Sequence, residues 1–328
     1  MSDDMSKTDF PIDAVIAWVD GNDPVHRSKR LKYGSVGELD NDEVGGDIRF
    51  TSVGEIKYCV ASLLRFAPYI RTIYIVTDDQ DPDLNGFLDR HFPDRSTRVE
   101  IVDHKVLYKG YEEYLPVFNS LSIETLLYRI PGLNEHFVYL NDDFMLVAPT
   151  DPETFFRDGR AVCYATPFNL PFARFLRFIK PPRHGHKIFG FKDSMINAAD
   201  AAGGKWTFPY IGHIPLALKK TVVEDFYKDH KKLFLDNIRP RFREPHQFNP
   251  QVLYYMLAEK CGDCIVVPRK GTDLYVKPNG KEGYMQKKLD SFDASSTALF
   301  CCFNSLDYAS PEDQQLAISW LEKRLGLI

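Results

Sequence analysis

Four short apolar runs that end in, or are interrupted by, acidic or imidazole side chains constrain the fold of this chain most strongly. They occupy residues 12–19, 72–79, 98–104 and 136–149. Apolar runs of this length that stop at polar turns predict buried strands. Stretches with apolar residues at helical spacing, 53–70 and 118–130, stand between them. This alternation predicts an α/β fold with a mostly parallel sheet, in which ligands bind beyond the carboxyl ends of the strands.

The last of these runs, HFVYLNDDFMLVAP, is interrupted at its centre by Asn141, Asp142 and Asp143. Taken alone, the two acids fit a simple turn as well as a functional site. Adjacent carboxylates repel unless a cation joins them, and Mg²⁺ commonly binds one or two carboxylates together with substrate phosphates. Because apolar sequence resumes at once with FMLVAP, we favour a divalent ion, Mg²⁺ or Mn²⁺, that bridges a nucleotide diphosphate.

The remaining pattern predicts further helices and one undivided domain. No internal repeat and no linker rich in Pro, Gly or Ser separates the chain into parts. At the amino end of the helix predicted at 118–130, Ser120 with Ser122 and Glu124 is expected to provide the cap. Three more helices are predicted at 217–238, 249–262 and 311–326.

Composition limits the partners and the location of the protein. Lys and Arg total 41 against 46 Asp and Glu, a formal charge of -5, so no general attraction for nucleic acid is expected. The acidic start and the lack of any apolar run near the roughly 20 residues that span a bilayer predict a cytoplasmic protein. The six cysteines are interpreted as reduced thiols. The alternative is a zinc site formed by Cys261 and Cys264 with Cys301 and Cys302.

Basic residues in the second half could complement the Asp pair. His213 lies in GHIP, and RPRFREP supplies Arg239, Arg241 and Arg243. Histidine is suited to proton transfer near neutral pH, and guanidinium groups pair bidentately with phosphate. A structural histidine and a solvated basic face are the alternatives. Phosphoryl transfer requires a metal, cationic donors and a base together.

Four groups of motifs resemble the homology regions of the stealth family of sugar-1-phosphate transferases. The first two regions resemble IDAVIAWVDGNDP, RFTSVGEIKYCVASLLRFAPYIRTIYIVTDDQDP and VDHKVLYKGYEEYLPVFNSLSIETLLYRIPGLNEHFVYLNDDFML. The third resembles GHIPLALKKTVVEDFYKDHKKLF with RFREPHQFNPQVLYYML, and the fourth resembles LFCCFNSLDYASPEDQQLAISWLEKRL. The resemblance covers most of residues 12–326 in the family's order.

This resemblance implies a fold and a reaction. The expected fold is a Rossmann-like, GT-A-type nucleotide-sugar-binding sheet flanked by helices, with a helical second half that completes the active site. Residues 1–11 are expected to be disordered, 12–160 to bind nucleotide sugar and metal, and 161–328 to bind the acceptor. The implied reaction moves hexosamine-1-phosphate from a UDP-N-acetylhexosamine to a hydroxyl of a capsule or cell-surface polysaccharide and releases UMP. The family is related to the catalytic subunit of the lysosomal N-acetylglucosamine-1-phosphotransferase.

The resemblance also assigns roles to individual residues. Asp142 and Asp143 fall on the metal and diphosphate site, His213 on the general base and Arg243 on a phosphate clamp. Glu124 is a further expected catalytic residue. The expected substrate-binding residues are Asp20, Gly21, Arg49, Asn119, Arg241 and Asn304. The chain departs from the family pattern at His246 and Gln247, where an acidic pair is frequent, and at Ser305, where Asp is common.

The segment at 170–192 is rich in Phe, Arg and Lys and has three interpretations. It could form a groove for an anionic polysaccharide acceptor, a peripheral contact with the inner face of the membrane near export machinery, or a solvated loop. The overall function likewise has two alternatives. One is an ordinary metal-dependent glycosyltransferase that releases UDP, and the other is a catalytically silent protein that binds sugar nucleotides or polysaccharide.

Overall fold

The computed structural model describes residues 10–35, 53–179 and 190–328. Three sequence predictions therefore fall wholly or partly outside the described residues. They concern Arg49, most of the chain start at 1–11, and the part of the basic segment at 180–189.

A five-stranded sheet forms the centre of the molecule and confirms the predicted α/β class. Its order is β3-β2-β1-β4-β9, and β4 and β9 are its antiparallel pair. Pairing of Ala17 with both Val76 and Asn141 brings the carboxyl ends of β1, β2 and β4 level with one another. The strands are β1 Ile12–Ala17, β2 Ile70–Thr77, β3 Arg98–Asp103, β4 His136–Asn141 and β9 Leu216–Lys219.

Two smaller sheets show that the second half contributes strands as well as the expected helices. One has the order β10-β7-β6 with β8 also paired to β7, and the other has the order β11-β12-β5. Only two residues, the Asp pair, separate β4 from β5. Pairing of β5 with β12 therefore brings β12, which lies near the carboxyl terminus, next to the Asp pair. These strands are β5 Phe144–Leu146, β6 Phe156–Arg157, β7 Arg160–Asn169, β8 Thr207–Ile211, β10 Cys264–Pro268, β11 Asp273–Val276 and β12 Phe300–Phe303.

Helices cover the sheets, and within the described ranges none is long and apolar enough to cross a membrane. Those of the first half are α1 Pro24–Tyr33, α2 Glu55–Phe66, α3 Asn85–His91, α4 His104–Leu107 and α5 Ser120–Glu124. Those of the second half are α6 Leu170–Ile179, α7 Phe191–Ala201, α8 Lys220–Asp229, α9 Lys231–Ile238, α10 Pro250–Cys261, α11 Tyr284–Asp293 and α12 Pro311–Leu325.

Two predicted helices differ from the structure, and tertiary pairing explains the larger difference. The stretch at 217–238 begins as strand β9, because its backbone pairs with the exposed edge of β4, and then forms α8 and α9, with His230 in a non-helical conformation between them. The helix predicted at 118–130 is short. Its cap is Asn119, whose side chain accepts a hydrogen bond from the Leu121 amide at 3.2 Å, and the predicted Ser120 cap is wrong.

The helices predicted at 249–262 and 311–326 are confirmed as α10 and α12. Asn249 and Ser310 cap their amino ends through side-chain oxygens. Gly262 and Gly326 follow their last turns in the left-handed conformation, which costs glycine little. Buried apolar side chains from β1 to α12 join in one continuous core.

Candidate active site

A cavity of about 640 Å³ opens at the carboxyl ends of β1 and β4, where α/β sheets bind ligands. Elements far apart in the chain form its wall, including the turn after β4, the loop after β8 and the loop before α10. Seven predicted site residues line it: Glu124, Asn119, Asp142, Asp143, His213, Arg243 and Asn304.

Asp142 and Asp143 both face this cavity because they form a turn and not a strand. β4 ends at Asn141 and β5 begins at Phe144, so the two acids escape the alternation that would point them to opposite faces. The turn is held from the far end of the chain, since the Phe303 amide donates to the Asp143 carbonyl at 3.1 Å.

The Asp143 carboxylate is contacted by the predicted fourth homology region. Its Oδ2 atom lies 3.2 Å from the Cys302 thiol and 3.5 Å from the Asn304 amide nitrogen, both of which donate. Tyr275 in turn donates to the Asn304 amide oxygen at 3.0 Å. The structure therefore places Asn304 beside the carboxylate, while Ser305 adopts a left-handed conformation at the cavity wall.

Two carboxylates that the sequence analysis missed increase the negative charge at this turn. Glu55 opens α2, and Asp307 follows β12; both line the cavity. Burial, and then the charge of Glu55, raise the pKa of Asp143 to about 6. Burial and the charges of Asp143 and Glu55 raise the pKa of Asp142 as well. A bound cation would remove this repulsion.

The donor set fits a divalent cation that is completed by substrate. In the described part of the chain, no group of three or more His, Cys, Asp or Glu side chains is placed to hold a metal ion. Mg²⁺, however, often takes only one or two carboxylates and fills its other positions with phosphate oxygens and water. Asp142 and Asp143 supply that number of carboxylates. All six cysteines are free thiols.

Glu124 lines the cavity, but both of its oxygens already accept hydrogen bonds. Tyr139 donates to Oε1 at 2.9 Å, and Gln251 donates to Oε2 at 3.0 Å. Burial raises the pKa of Glu124, and the nearby Arg243 lowers it. The Tyr139 hydroxyl also lies 2.6 Å from the Asn141 amide oxygen. Through the Tyr139 hydroxyl, Glu124 is therefore connected to Asn141, the residue that precedes the Asp142-Asp143 turn.

Arg243 reaches the cavity on a loop that a buried amide network fixes in place. Its Nη2 atom donates to the Ser120 hydroxyl at 3.2 Å. Gln247 donates to the Ser122 hydroxyl at 3.0 Å and accepts from the Asn119 amide at 2.7 Å. Asn119 also donates to the Phe242 carbonyl at 3.1 Å. The Asn119 side chain thus makes several hydrogen bonds within the protein, and its role in substrate binding stays a prediction.

Three of the expected substrate-binding residues, Asp20, Gly21 and Arg241, lie outside the cavity wall. Arg241 donates to the carbonyls of Glu113 and Leu115 at 3.1 and 3.0 Å, so its guanidinium holds a neighbouring loop. Asp20 and Gly21 follow β1, where the Asp20 amide donates to the Gln80 side chain at 2.8 Å and turns the chain away. The cavity is lined at this strand end by the preceding Trp18 and Val19 instead.

His213 lies two residues after the end of β8 and is surrounded by aromatic rings. Its ring centroid is 5.0 Å from that of Tyr275, 5.3 Å from that of Phe191 and 5.9 Å from that of Phe144. Burial, and then the positive charges of Arg269 and Lys277, lower the pKa of His213 to about 4. The imidazole is therefore neutral at physiological pH and able to accept a proton.

The arginines of the basic segment are already paired within the described residues. Arg174 is hydrogen-bonded to Asp200, and Arg177 donates to the Asn197 side chain at 2.8 Å. Both contacts fasten α6 to α7. They leave exposed phenylalanines on the outer face of α6, at 172, 175 and 178. On this helix the two arginines therefore share one acid, Asp200, and their side chains are engaged within the protein.

Four further aromatic residues of the cavity wall were not predicted from the sequence. They are Trp18, His26, His104 and Phe118. His104 was detectable in principle, because it ends the third apolar run in the same way that the Asp pair interrupts the fourth.

Comparison with protein families gives two matches. Residues 10–35 match Stealth protein CR1, conserved region 1, and residues 49–163 match Stealth protein CR2, conserved region 2. The third and fourth regions inferred from the motifs stay predictions.

Three curated relatives are named polysaccharide phosphotransferases. The exopolysaccharide phosphotransferase cps2G of Lactiplantibacillus plantarum is 30% identical over 71% of this chain and 71% of its own length. The exopolysaccharide phosphotransferase SCO6021 of Streptomyces coelicolor is 31% identical over 93% of this chain and 53% of its own length. The receptor polysaccharide phosphotransferase WefC of Streptococcus oralis is 35% identical over 58% of this chain and 52% of its own length. The chain thus spans about half the length of several relatives.

Solved structures give weaker likenesses. A galactosyltransferase LgtC complex with donor and acceptor sugar analogs matches at TM-score 0.46 and 9% identity, over 96% of both chains. The bifunctional glycosyltransferase WbbM matches at TM-score 0.49 and 8% identity, over 97% of this chain and 52% of that chain. Likeness at this level carries no argument about chemistry. The conserved-region matches, together with the relative that is 30% identical over 71% of both chains, show that this chain belongs to the Stealth protein family.

Proposed function

We propose that this chain transfers a sugar-1-phosphate from a UDP-N-acetylhexosamine to a hydroxyl of a capsule or exopolysaccharide and releases UMP. One observation carries the proposal: a single cavity joins the Asp142-Asp143 turn with Arg243 and a neutral His213. These are the metal-binding, phosphate-binding and proton-accepting groups that phosphoryl transfer requires. The names of the relatives support transfer of a phosphorylated sugar to polysaccharide.

Asp142 and Asp143 would hold a divalent cation, Mg²⁺ or Mn²⁺, against the donor diphosphate. Bound there, the ion would neutralise negative charge on the phosphate oxygens. Cys302 and Asn304 hold the Asp143 carboxylate from behind, and Glu124 steadies the turn through Tyr139.

The remaining chemistry belongs to the side chains of this chain. His213 takes the proton of the acceptor hydroxyl at a ring nitrogen while the hydroxyl oxygen bonds to the β-phosphorus. The bond from that phosphorus to the bridging oxygen breaks, and UMP leaves with the electron pair. Arg243 donates to phosphate oxygens and stabilises the charge that develops on them. The product is a phosphodiester.

The nucleotide that is released tests this proposal. Purified protein is incubated with Mg²⁺, UDP-N-acetylglucosamine or UDP-N-acetylgalactosamine, and short capsule oligosaccharides, and products are followed by phosphorus NMR. We expect UMP and a new phosphodiester signal. Release of UDP with no new phosphodiester would identify an ordinary glycosyltransferase instead. Tight donor binding with no turnover on any acceptor would support a silent binding protein.

A further inference from the structure

The end of the cavity farthest along the sheet from the Asp turn has a different chemical character. Trp18 continues β1, with its amide donating to the Val76 carbonyl at 2.9 Å, and His104 begins α4 directly after β3. His26 of α1 lies edge-on to Phe118, with ring centroids 5.4 Å apart. We call these four rings, Trp18, His26, His104 and Phe118, the aromatic slot. All four are buried yet line the cavity.

Trp18 and His104 each carry a polar atom that has no hydrogen-bond partner among the described residues. These atoms are Trp18 Nε1 and His104 Nδ1, and both are buried. A buried polar group without a partner is costly, so such groups are rare unless water or a ligand satisfies them. Trp18 is 8% exposed and His104 is 2% exposed, so bulk water does not reach them freely.

The chemistry of these two atoms is complementary. The indole nitrogen can only donate a hydrogen bond. Burial lowers the pKa of His104 to about 4, so its imidazole is neutral at pH 7 and can accept at one nitrogen while the other carries the proton. Trp18 and His104 therefore offer one donor and one acceptor between flat ring surfaces, and neither side chain carries a charge at pH 7.

We propose that the aromatic slot binds the uracil base of the donor, with Trp18 donating to a base carbonyl and His104 accepting from the N3 hydrogen. Uracil has a carbonyl on each side of its N3–H group. An acceptor next to a donor, as Trp18 and His104 require, therefore occurs twice on this base. Cytosine presents one such pair, an acceptor at N3 beside the amino donor at C4. The choice of uracil rests on the proposed function.

The polarity of the whole cavity agrees with this orientation. His104 of the neutral aromatic slot follows β3 and the charged Asp turn follows β4, and β2 and β1 lie between these two strands in the sheet. A nucleoside diphosphate has the same gradient, from a flat neutral base to a charged diphosphate. The base would enter the slot while the diphosphate meets Arg243 and the Asp pair.

Nucleotide binding without turnover tests the slot. Affinities for UDP, CDP, GDP and inorganic pyrophosphate are measured by calorimetry with Mg²⁺ present, for the parent protein and for Trp18→Phe and His104→Asn. The matched controls are Trp320→Phe, which removes the indole donor to Asp293 at 3.0 Å, and His136→Asn at the amino end of β4. Neither control residue lines the cavity.

We expect the parent protein to prefer UDP, and each slot variant to lose about fivefold to tenfold in UDP affinity, as fits one lost hydrogen bond. Pyrophosphate affinity should stay unchanged in all variants, and the controls should bind UDP normally. Equal losses for UDP and pyrophosphate, or unchanged UDP affinity in both slot variants, would overturn the proposal. UDP release in the turnover assay would refute the proposed reaction and leave this base preference intact, so the two failures are distinguishable.

Discussion

At the scale of single residues, the site depends on two ionisable groups that burial has moved from their ordinary behaviour. His213 is neutral because aromatic rings surround it and two cations lie nearby. The Asp pair is the reverse case, because burial and mutual repulsion disfavour its charged form. The lowered pKa of His213 keeps its imidazole unprotonated at neutral pH, although it also makes the ring a weaker base, and the raised pKa values of the Asp pair favour the arrival of a cation.

Replacing His213 should separate binding from turnover. For His213→Ala we expect turnover to fall by about a hundredfold to ten-thousandfold, the range for loss of a general base. Donor affinity should change less than threefold. Both are measured with the same UDP-sugar, with His230→Ala as a control, since His230 lies outside the cavity between α8 and α9. Retained turnover in folded His213→Ala protein would remove His213 from the mechanism.

His104 should make the protein less stable in acid. Its pKa is lowered from 6.5 to about 4 in the folded protein, so the unfolded chain binds a proton more readily between these pH values. The stability from this residue is therefore complete above pH 6.5 and falls as the pH drops to 4, by about 3 kcal/mol in total.

Chemical denaturation at several pH values measures this effect as a difference between two proteins. The free energy of unfolding of His104→Asn should depend less steeply on pH than that of the parent protein. Parallel curves for the two proteins between pH 6.5 and 4 would contradict the burial of a neutral imidazole at this position.

At the scale of elements, the loop that carries Arg243 is positioned by amides and not by charges. Gln247 is fully buried and joins this loop to α5 and α9 through Asn119, Ser122 and the Asn237 carbonyl. Gln247, at a position where the resemblance implies an acidic residue, thus has a structural role. A carboxylate at 247 could accept from Asn119 but could not donate to Ser122 and Asn237.

Removing the Gln247 amide should both destabilise the protein and weaken phosphate binding. Gln247→Ala removes one acceptor of the buried Asn119 amide and the amide donor to the Ser122 hydroxyl and the Asn237 carbonyl, which costs about 1–3 kcal/mol in unfolding free energy. Pyrophosphate affinity should fall because Arg243 loses its fixed position. Gln315→Ala, which removes an exposed hydrogen bond to Ser319, is the control. A loss of stability with full pyrophosphate affinity would show that the network does not position Arg243.

At the scale of the whole molecule, the two ends of the strands in the central sheet differ in role. The carboxyl ends form the candidate site, and the amino ends contain an ion pair, with a buried carboxylate, that stabilises the fold. At the amino edge, the buried Asp13 carboxylate accepts from Arg71 at 2.9 and 2.8 Å and from the Asn134 amide at 2.8 Å. This cluster ties together the starts of β1 and β2 and the loop before β4.

Breaking the ion pair between Arg71 and Asp13 should lower the stability of the protein without changing its affinity for UDP. Arg71→Met leaves a buried carboxylate without its cation, and we expect a loss of about 3 kcal/mol in unfolding free energy. Arg95→Met breaks the ion pair with exposed Asp89 and should cost at most about 1 kcal/mol. UDP affinity should be the same in both variants below their unfolding transitions. Similar unfolding free energies for the two would contradict this division.

The sequence by itself determined the elements whose signals are local. The four apolar runs became β1 to β4, and β1, β2 and β4 are apolar nearly throughout because they are buried on both faces, whereas β3 is a largely exposed edge strand. The helix α12 was equally clear, since its cap, first proline and final glycine are neighbours in the chain. The Asp turn was identifiable because two acids within an apolar run need a compensating partner.

Only the tertiary structure decided what surrounds that turn. Pairing of β5 with β12 places Cys302 and Asn304 on Asp143, and packing of α2 adds the charge of Glu55. Asn119 and Arg241 have side chains suited to substrate, yet the fold uses both to hold loops. The reason is physical: residue type fixes what a side chain can bind, but long-range strand pairing and burial fix which partners lie within reach.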